Sequence, residues 1–458
     1  MGRTKRKRRQ KISRSFCTCG ANEELILLNT WLKKNGVRRK KELALAVFSD
    51  TGRGVLTKKR IRPGDELISL PLNLTINVST ILMDRAFCSI FLENKIPCLS
   101  TYKKTVSFQS LLAFYLTYLK AQGIKTKWHI YLKNLPQEYT VPYFLPNEIK
   151  CNVDPEILDV ISNQKCVIET TYNIFFQLLK TCKNSCDSVS MVQKHFCMSL
   201  YEWAYFTVNT RCVYIDLSKI IDLKNVENNL LNIISDNTNI SLCPYLDMIN
   251  HSPCARNETK LLVNKDIENV KVKDLKDELF LDVTFSIYTK NFFDAHSQVF
   301  ICYGDSHNLK LITEYGFCIP KNDLDYVSFP FDIVLQYFNT RSIKVSLEQI
   351  NFIHSHGLNK DLHIDSKGLS YNFYGLLMVI KYYHEKNKDI SRLIYSAAIC
   401  SNDSKLNELV KPMAVDKCNL ISNSVNELKK SGCEAVELMN CIELMCQYIG
   451  ILEKFIKS

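Results

Sequence analysis

The chain has 458 residues, of which 46% are hydrophobic and 23% are charged, a composition typical of folded globular proteins. This length predicts two or three domains, and the apolar runs are too short for a membrane span of about 18 residues. The formal net charge is +12, and eight of these charges lie within residues 1–14, where no acidic residue occurs.

The basic segment at the start of the chain, which includes Arg3 and Arg9, cannot pack against itself, so we expect residues 1–20 to form a solvated, disordered tail. No apolar stretch follows it, so no secretory signal is expected. Three interpretations stay open: a nuclear-import signal, a phosphate-binding arm that would contact nucleic acid, or a solubilising tail. We expect the protein in the nucleus and the cytoplasm.

The next predicted elements are a helix over residues 24–35 and three strands over 44–48, 54–57 and 66–70. Pro63 and Gly64 between the last two strands predict a tight turn. Residues 78–220 are predicted to be mainly helical, with an aromatic, proline-containing linker over 128–139. Residues 225–239 are rich in Asn and predict a loop, in which a short helix around Leu230 and Ile233 is compatible with the pattern.

Strands are predicted again over residues 279–286 and 298–302, and helices from residue 330 to the end. The last segment carries one apolar stripe, from Val425 to Phe455, which predicts a long amphipathic helix. We therefore expect a strand-rich domain over residues 21–330, interrupted by the helical insertion over 78–220, and a helical domain over 331–458.

The nineteen cysteines do not predict a metal site. Structural zinc needs closely spaced pairs of thiolates, repeated along the chain, and here only Cys17 with Cys19 and Cys182 with Cys186 are close. Their scatter favours free thiols in a reducing compartment. Isolated histidines such as His129 and His195 show no ligand spacing either.

Two short segments do not have the residue pattern of a strand or helix that packs in a hydrophobic core. Residues 247–252, Asp-Met-Ile-Asn-His-Ser, place three polar side chains directly after a mostly apolar run, where a buried strand would leave them without partners. About fifty residues later, Tyr303-Gly304-Asp305 leads into residues 314–317, Glu-Tyr-Gly-Phe. Thr51-Gly52-Arg53-Gly54 lacks the third glycine and the helix of a dinucleotide fingerprint, so by itself it predicts only a tight turn.

Five motifs occur in order between residues 45 and 330: 51–71 (Thr-Gly-Arg-Gly-Val to Pro-Gly-Asp-Glu and Leu-Pro), 128–136 (Trp, Tyr-Leu, Leu-Pro), 208–214 (Val-Asn-Thr-Arg-Cys-Val-Tyr), 247–252 and 298–317. In this order they resemble the SET-domain protein methyltransferases, in the branch that includes the Rubisco large-subunit methyltransferase. The resemblance implies an α+β fold: a SET-domain β-fold with a knot-like active site, a long helical insertion and an all-α C-terminal domain of the substrate-binding type.

The resemblance also implies an enzyme that transfers methyl from S-adenosylmethionine to lysine side chains of histone or other proteins, without a metal or a membrane. Thr51, Gly52 and Arg53 would line the amino-acid end of the cofactor, and Asn250 and His251 would hold its adenosyl part. Arg211 would lie near the methionine carboxylate or the substrate channel. Tyr315 would be the central catalytic residue, beside the cofactor. The predicted substrate contacts are Asp247, Phe317 and Tyr326.

Simpler interpretations remain for some of these residues. Arg211 also fits a structural ion pair, and Asp247 a helix or turn cap. Ahead of Gln298 the family usually has a Gly-Glu turn, whereas this chain has Asp294 to Ser297. At the level of function, the alternatives are a non-catalytic SET-fold scaffold in a chromatin complex, methylation of histidine in place of lysine, and nucleic-acid binding through the basic tail alone.

Overall fold

The computed structural model describes residues 16–18, 22–91, 102–183, 186–225, 229–263, 283–385, 389–395 and 404–458. Most of the predicted basic tail, the start of the strand predicted over 279–286 and residues 226–228 of the predicted loop lie outside these ranges. The chain divides into two compact units. Unit 1 comprises Met1–Tyr139 and Lys165–Asp305, and unit 2 comprises Thr140–Gln164 and Ser306–Ser458. The domain limits predicted at residues 20 and 330 stay a prediction.

The strands of the described residues are β1 (Phe16–Thr18), β2 (Arg38–Arg39), β3 (Leu43–Phe48), β4 (Gly52–Thr57), β5 (Glu66–Pro71), β6 (Cys212–Tyr214), β7 (Ile240–Leu242), β8 (Asn250–His251), β9 (Asn257–Val263), β10 (Val283–Thr289), β11 (Gln298–Ile301), β12 (Tyr326–Ser328), β13 (His363–Asp365) and β14 (Gly368–Leu369). In unit 1 they form a five-stranded sheet in the order β1-β3-β4-β11-β8, a four-stranded sheet in the order β2-β5-β10-β9, and the pair β6-β7.

Alternation of apolar residues places these strands as the sequence predicts. In the β3–β4 hairpin Leu43 lies opposite Thr57 and Phe48 opposite Gly52, and Val55 and Leu56 are buried. The turn after β4 forms as expected, because Gly64 takes a φ of 87° that its missing side chain permits. The side chain of Asp65 then accepts the backbone N–H of Arg62 at 2.8 Å.

Helices make up most of the rest of unit 1: Glu23–Lys34, Val78–Met83, Arg85–Cys88, Phe108–Ala121, His129–Asn134, Asp187–His195, Met198–Arg211, Asn229–Asn232 and the part of Pro155–Thr181 that follows Gln164. Most of the described residues within 78–220 are helical, as the sequence predicts. The linker predicted over 128–139 was wrong in part, because it contains the helix His129–Asn134. This helix buries Tyr131 and Leu132, and such packing outweighs a weak local signal.

Unit 2 is mainly helical, with Asn147–Lys150, Asn308–Lys310, Phe331–Thr340, Leu347–Ser355, Tyr371–Tyr382, Ile390–Tyr395, Ser404–Lys430 and Val436–Lys457. The single final helix was a wrong prediction, since the apolar stripe is shared by the last two helices. Gly432, with a φ of 65°, lies in the turn that separates them. The all-α prediction also missed the three-stranded sheet β12-β13-β14. Strands of two or three residues are too short to show a period.

Candidate active site

Asn250 lies where three segments of unit 1 meet. Its strand β8 runs parallel to β11, with Asn250 opposite Phe300 and His251 opposite Ile301. The Asn250 Nδ2 donates to Gln298 Oε1 at 2.8 Å and to the carbonyl of Arg53 at 3.2 Å. Thus the motifs at residues 247–252 and 298–317 contribute neighbouring, paired strands. Asn250 links both strands to the glycine turn at residues 51–54.

The glycine turn is fixed from several sides. Thr51 Oγ1 hydrogen-bonds with the amide of Gln298, at 2.9 Å from Nε2, and the Arg53 guanidinium donates to the carbonyl of Asn134 at 3.0 Å. Gly52 takes a φ of 66° with no atom within 4 Å of the place that a Cβ would occupy, whereas a Cβ on Gly54 would lie 2.7 Å from Asn250 Nδ2. Gly54 therefore allows Asn250 to approach the turn, and the exposed backbone of Gly52 stays accessible.

His251 is held by the segment that follows β11. The backbone N–H of Tyr303 donates to His251 Nδ1 at 3.0 Å, and the Tyr303 hydroxyl donates to the carbonyl of Ile249 at 2.8 Å. Burial lowers the pKa of His251, which Asp305 opposes. The imidazole is therefore neutral at pH 7, and because Nδ1 accepts a hydrogen bond, Nε2 carries the proton. The contact between Tyr303 and His251 was not predicted.

Arg211 and Asp247 form a buried ion pair. Arg211 donates from Nη1 to Asp247 Oδ2 at 3.1 Å and to the Asp247 carbonyl at 3.0 Å, and the Tyr131 hydroxyl donates to Asp247 Oδ2 at 3.0 Å. The Asp247 side chain is 0% exposed and that of Arg211 is 16% exposed. Burial raises the pKa of Asp247, and the Arg211 charge opposes that rise. The two side chains thus form the structural ion pair that was one of the interpretations of Arg211.

Two atoms of this ion pair are left without a hydrogen bond. Among the described residues, Arg211 Nε and Asp247 Oδ1 are buried and have no partner. Such orphaned groups cost free energy unless a ligand or water satisfies them. With its side chain fully buried, Asp247 is seen here as the partner of Arg211 and Tyr131; its contact with a substrate stays a prediction.

Tyr315, Phe317 and Tyr326 belong to unit 2. Tyr315 ends a single π-helical turn, Leu311–Tyr315, in which the Gly316 N–H donates to the carbonyl of Leu311 at 3.0 Å. Turns of this kind occur often at functional sites. The rings of Tyr315 and Phe317 are both half-buried and lie 6.1 Å apart between centroids.

Gly316 fixes the backbone between these two rings. It takes a φ of 79°, and its carbonyl accepts hydrogen bonds from Thr140 Oγ1 and Asn440 Nδ2, both at 2.9 Å. A Cβ added at Gly316 would lie 2.6 Å from Thr140 Oγ1 and 3.0 Å from the Thr140 backbone. Only glycine fits this conformation and this contact.

We therefore expect Gly316→Ala to lower the free energy of unfolding of unit 2 by about 2–4 kcal/mol, from the positive φ and from the collision with Thr140. Gly357→Ala is the matched control. Gly357 also has a positive φ, of 68°, but nothing lies within 4 Å of its Cβ position, so about 1 kcal/mol is expected. Scanning calorimetry of both variants measures the difference; equal losses would contradict the steric role of Thr140.

Tyr326 lies on β12, between the rings of His307 and His363, at centroid distances of 5.1 Å and 4.7 Å. Burial raises the pKa of Tyr326, and the nearby carboxylates of Glu156, Asp361 and Asp325 raise it further. Its predicted place in the wall of a lysine channel stays a prediction.

The described residues contain no helix that is both long and apolar enough to cross a membrane. Within the same ranges, no group of three or more His, Cys, Asp or Glu side chains is arranged to hold a metal ion.

No protein-family model matches the chain. It is similar over almost its whole length to SET domain-containing protein 4 of Homo sapiens, with 26% identity over 96% of this chain and 93% of the relative. Ribosomal lysine N-methyltransferase set11 of Schizosaccharomyces pombe is 27% identical over 75% of this chain and 71% of its own length. The actin-histidine N-methyltransferase of Drosophila melanogaster is 23% identical over 71% of this chain and 55% of its own length.

Solved structures give the same fold. The SET domain of LSMT bound to lysine and AdoHcy matches with a TM-score of 0.59 and 16% identity, over 95% of this chain and 92% of that chain. Rubisco LSMT bound to AdoMet matches with a TM-score of 0.56 and 16% identity, over 94% of this chain and 92% of that chain. The α+β fold predicted from the ordered motifs is confirmed.

Proposed function

We propose that this chain, which has the SET-domain methyltransferase fold of Rubisco LSMT, is an S-adenosylmethionine-dependent protein-lysine N-methyltransferase. The observation that carries the proposal is the junction at Asn250, where the glycine turn, β8 and β11 are joined by one side chain. A scaffold would need the sheet but would have no need for a polar side chain that links a glycine turn with an accessible backbone to two strands.

Unit 1 offers polar groups that could bind the amino-acid part of the cofactor. A methionine moiety carries a carboxylate and an ammonium group, and the buried pair offers one unsatisfied donor, Arg211 Nε, and one unsatisfied acceptor, Asp247 Oδ1. The backbone of Gly52, exposed and free of a side chain, can approach a ligand closely. We assign Thr51 to Arg53, Arg211, Asn250 and His251 to cofactor binding. When bound, the cofactor supplies an electrophilic methyl group on a sulfonium.

The protein's task toward the acceptor is to present a neutral amine. A lysine with a pKa of about 10.4 pays roughly 4.6 kcal/mol to lose its proton at pH 7. A narrow apolar channel reduces this cost, because it disfavours the ammonium form. We assign the walls of that channel to Phe317 and Tyr326 and the alignment of the amine to the Tyr315 hydroxyl, with the proton leaving to water. Positioning then supplies most of the rate enhancement.

Lysine is favoured over other targets by what similar proteins act on. The solved LSMT structure is described with bound lysine, and the similar protein of Schizosaccharomyces pombe is a ribosomal lysine methyltransferase. The actin-histidine relative makes histidine the second candidate, although this chain spans little more than half of that protein. Histone tails are among the proposed substrates because the basic tail favours nuclear import, with the protein present in both nucleus and cytoplasm.

Transfer of labelled methyl from S-adenosylmethionine to core histones and to proteins of a whole-cell extract tests the proposal. Acid hydrolysis of the labelled bands identifies the modified residue. We expect methyl-lysine. Label recovered only as methyl-histidine would shift the assignment to the second candidate, and the absence of label in every acceptor, from folded protein, would favour a scaffold. Deleting residues 1–14 should leave the transfer rate intact, since the tail carries none of the site residues.

A further inference from the structure

Unit 2 contains a cavity of about 290 Å³ beside the sheet β12-β13-β14. The residues that line it include Tyr326, Phe329, Phe331, His363 and Asp361. Tyr315 and Phe317 are absent from the described residues that line it. Tyr326, which we assign to the wall of the lysine channel, does line it, so the cavity shares that residue with the proposed channel but includes neither Tyr315 nor Phe317.

The charges around this cavity are mainly negative. The carboxylates of Glu156, Asp361 and Asp325 all act on the Tyr326 hydroxyl. Lys417 is not among the described residues that line the cavity, although its Nζ lies 4.9 Å from the centre of the Phe329 ring. It donates to the carbonyl of Ser328 at 2.6 Å and lies 3.7 Å from Glu156. The charge of Lys417 is thus balanced by Glu156, and Asp361 keeps an excess negative charge at the cavity.

The backbone holds Asp361 in a conformation that a non-glycine residue seldom adopts. Its φ is 53°, and its carbonyl accepts a hydrogen bond from Ser370 Oγ at 2.7 Å. The preceding carbonyl, of Lys360, accepts one from Asn372 Nδ2 at 2.8 Å. In the described part of the chain the Asp361 carboxylate has no ion-pair partner. Asp361 thus places a carboxylate without an ion-pair partner beside the cavity, on a backbone that two side-chain hydrogen bonds hold in place.

We propose that this cavity binds a cationic side chain, arginine or lysine, that the protein substrate carries at a position other than the methylated residue. The inference rests on the proposed function, because it names a part of that enzyme's substrate. Aromatic faces attract cations through their quadrupole, and a carboxylate at the rim adds a charge-assisted hydrogen bond. An anionic side chain would face the carboxylates, and a neutral one would leave Asp361 without a partner.

Direct binding tests the cavity without any methyl transfer. The probe is N-acetyl-arginine N-methylamide, titrated into the full chain with ¹³C-labelled histidine rings, and the neutral comparison is the citrulline analogue of the same shape. We expect the arginine probe to shift the His363 signal to saturation and the citrulline probe to leave it unchanged. The shift should disappear in Asp361→Asn, since asparagine tolerates the left-handed backbone. It should persist in Asp323→Asn, an exposed carboxylate of the same unit that does not line the cavity.

Methyl transfer provides the second arm. Acceptor peptides with one central lysine carry either arginine or citrulline at one flanking position at a time. We expect the wild-type chain to show a KM about threefold to tenfold lower for arginine at one or more positions. Asp361→Asn should abolish this preference at unchanged kcat, and Asp323→Asn should retain it.

Several results would overturn the inference. The first is equal KM values for the arginine and citrulline peptides in the wild-type chain. The second is a preference for arginine that survives in Asp361→Asn. The third is a fall in kcat in Asp361→Asn, which would place the cavity in the reaction site. If no peptide is methylated, the proposed function fails and the inference about a substrate falls with it, whereas binding of the arginine probe still shows a cation site. Methylation without any binding of the probe overturns the cavity's role alone.

Discussion

Replacing Arg211 with methionine is expected to lower the free energy of unfolding of unit 1 by about 3–5 kcal/mol, because it leaves the Asp247 carboxylate buried without its cationic partner. The wild-type side chain of Asp247 is 0% exposed, so its carboxylate does not reach bulk water. All three tryptophans of the chain, Trp31, Trp128 and Trp203, belong to unit 1. Denaturant unfolding followed by tryptophan fluorescence therefore reports on this unit.

The loss in Arg211→Met should depend on pH. Burial already raises the pKa of Asp247 in the wild-type chain, and without Arg211 the pKa rises further. A carboxyl whose pKa is higher in the folded state than in the unfolded state binds its proton more tightly when folded. Stability is therefore lost as the pH rises from about 4, the ordinary carboxyl pKa, through the raised folded value. The variant should lose more stability at pH 8 than at pH 5.

The double variant Arg211→Met, Asp247→Asn is the control. Asparagine keeps an oxygen that can accept from Tyr131 but carries no charge, so the double variant should be at least about 2 kcal/mol more stable than Arg211→Met alone at pH 8. An equal loss at both pH values, or a double variant no more stable than the single one, would show that the ion pair does not control this region.

Tyr315→Phe is expected to reduce kcat for methyl transfer by about 100-fold while the affinity for S-adenosylmethionine changes less than about threefold. The variant keeps the ring that contacts Phe317 and removes only the hydroxyl that we assign to aligning the amine. Labelled methyl transfer under saturating substrates measures kcat, and calorimetry measures cofactor affinity.

Tyr303→Phe is a matched control for the loss of one hydroxyl. The Tyr303 hydroxyl donates to the carbonyl of Ile249, so its loss should reduce stability by about 1 kcal/mol and affect kcat less than Tyr315→Phe. A Tyr315→Phe enzyme with wild-type kcat would remove Tyr315 from catalysis.

The sequence predicts the long, strongly patterned elements well. The helix expected over residues 24–35 is Glu23–Lys34, and the strands expected over 44–48 and 66–70 are Leu43–Phe48 and Glu66–Pro71. Each has several apolar residues at a regular spacing and a cap or turn at its ends. The strands β13 and β14 were missed because three- and two-residue strands show no period, and their hairpin depends on the Asp365 side chain, which accepts the N–H groups of Lys367 and Gly368.

The ordered motifs indicated which segments carry the site but not the contacts between them. The sequence singled out both Arg53 and Asn250, yet the third member of their junction, Gln298, was noted only as the start of a motif. Tyr131 lies in the segment that the sequence predicts as an aromatic linker, and it donates to Asp247, 116 positions away along the chain. A single aromatic residue in an aromatic segment has no local signal for such a contact, which depends on how the helix His129–Asn134 packs within unit 1.

The most direct test of the account is calorimetric titration of the full chain with S-adenosylmethionine, because it does not depend on a correct choice of methyl acceptor. We expect one equivalent to bind to the wild-type chain, and binding to be about tenfold weaker in Asn250→Ala, which loses the junction and its hydrogen bonds. Asn35→Ala, an exposed position of unit 1, should bind as the wild-type chain does. Folded wild-type protein that binds no S-adenosylmethionine would contradict the proposal that this SET fold is an enzyme.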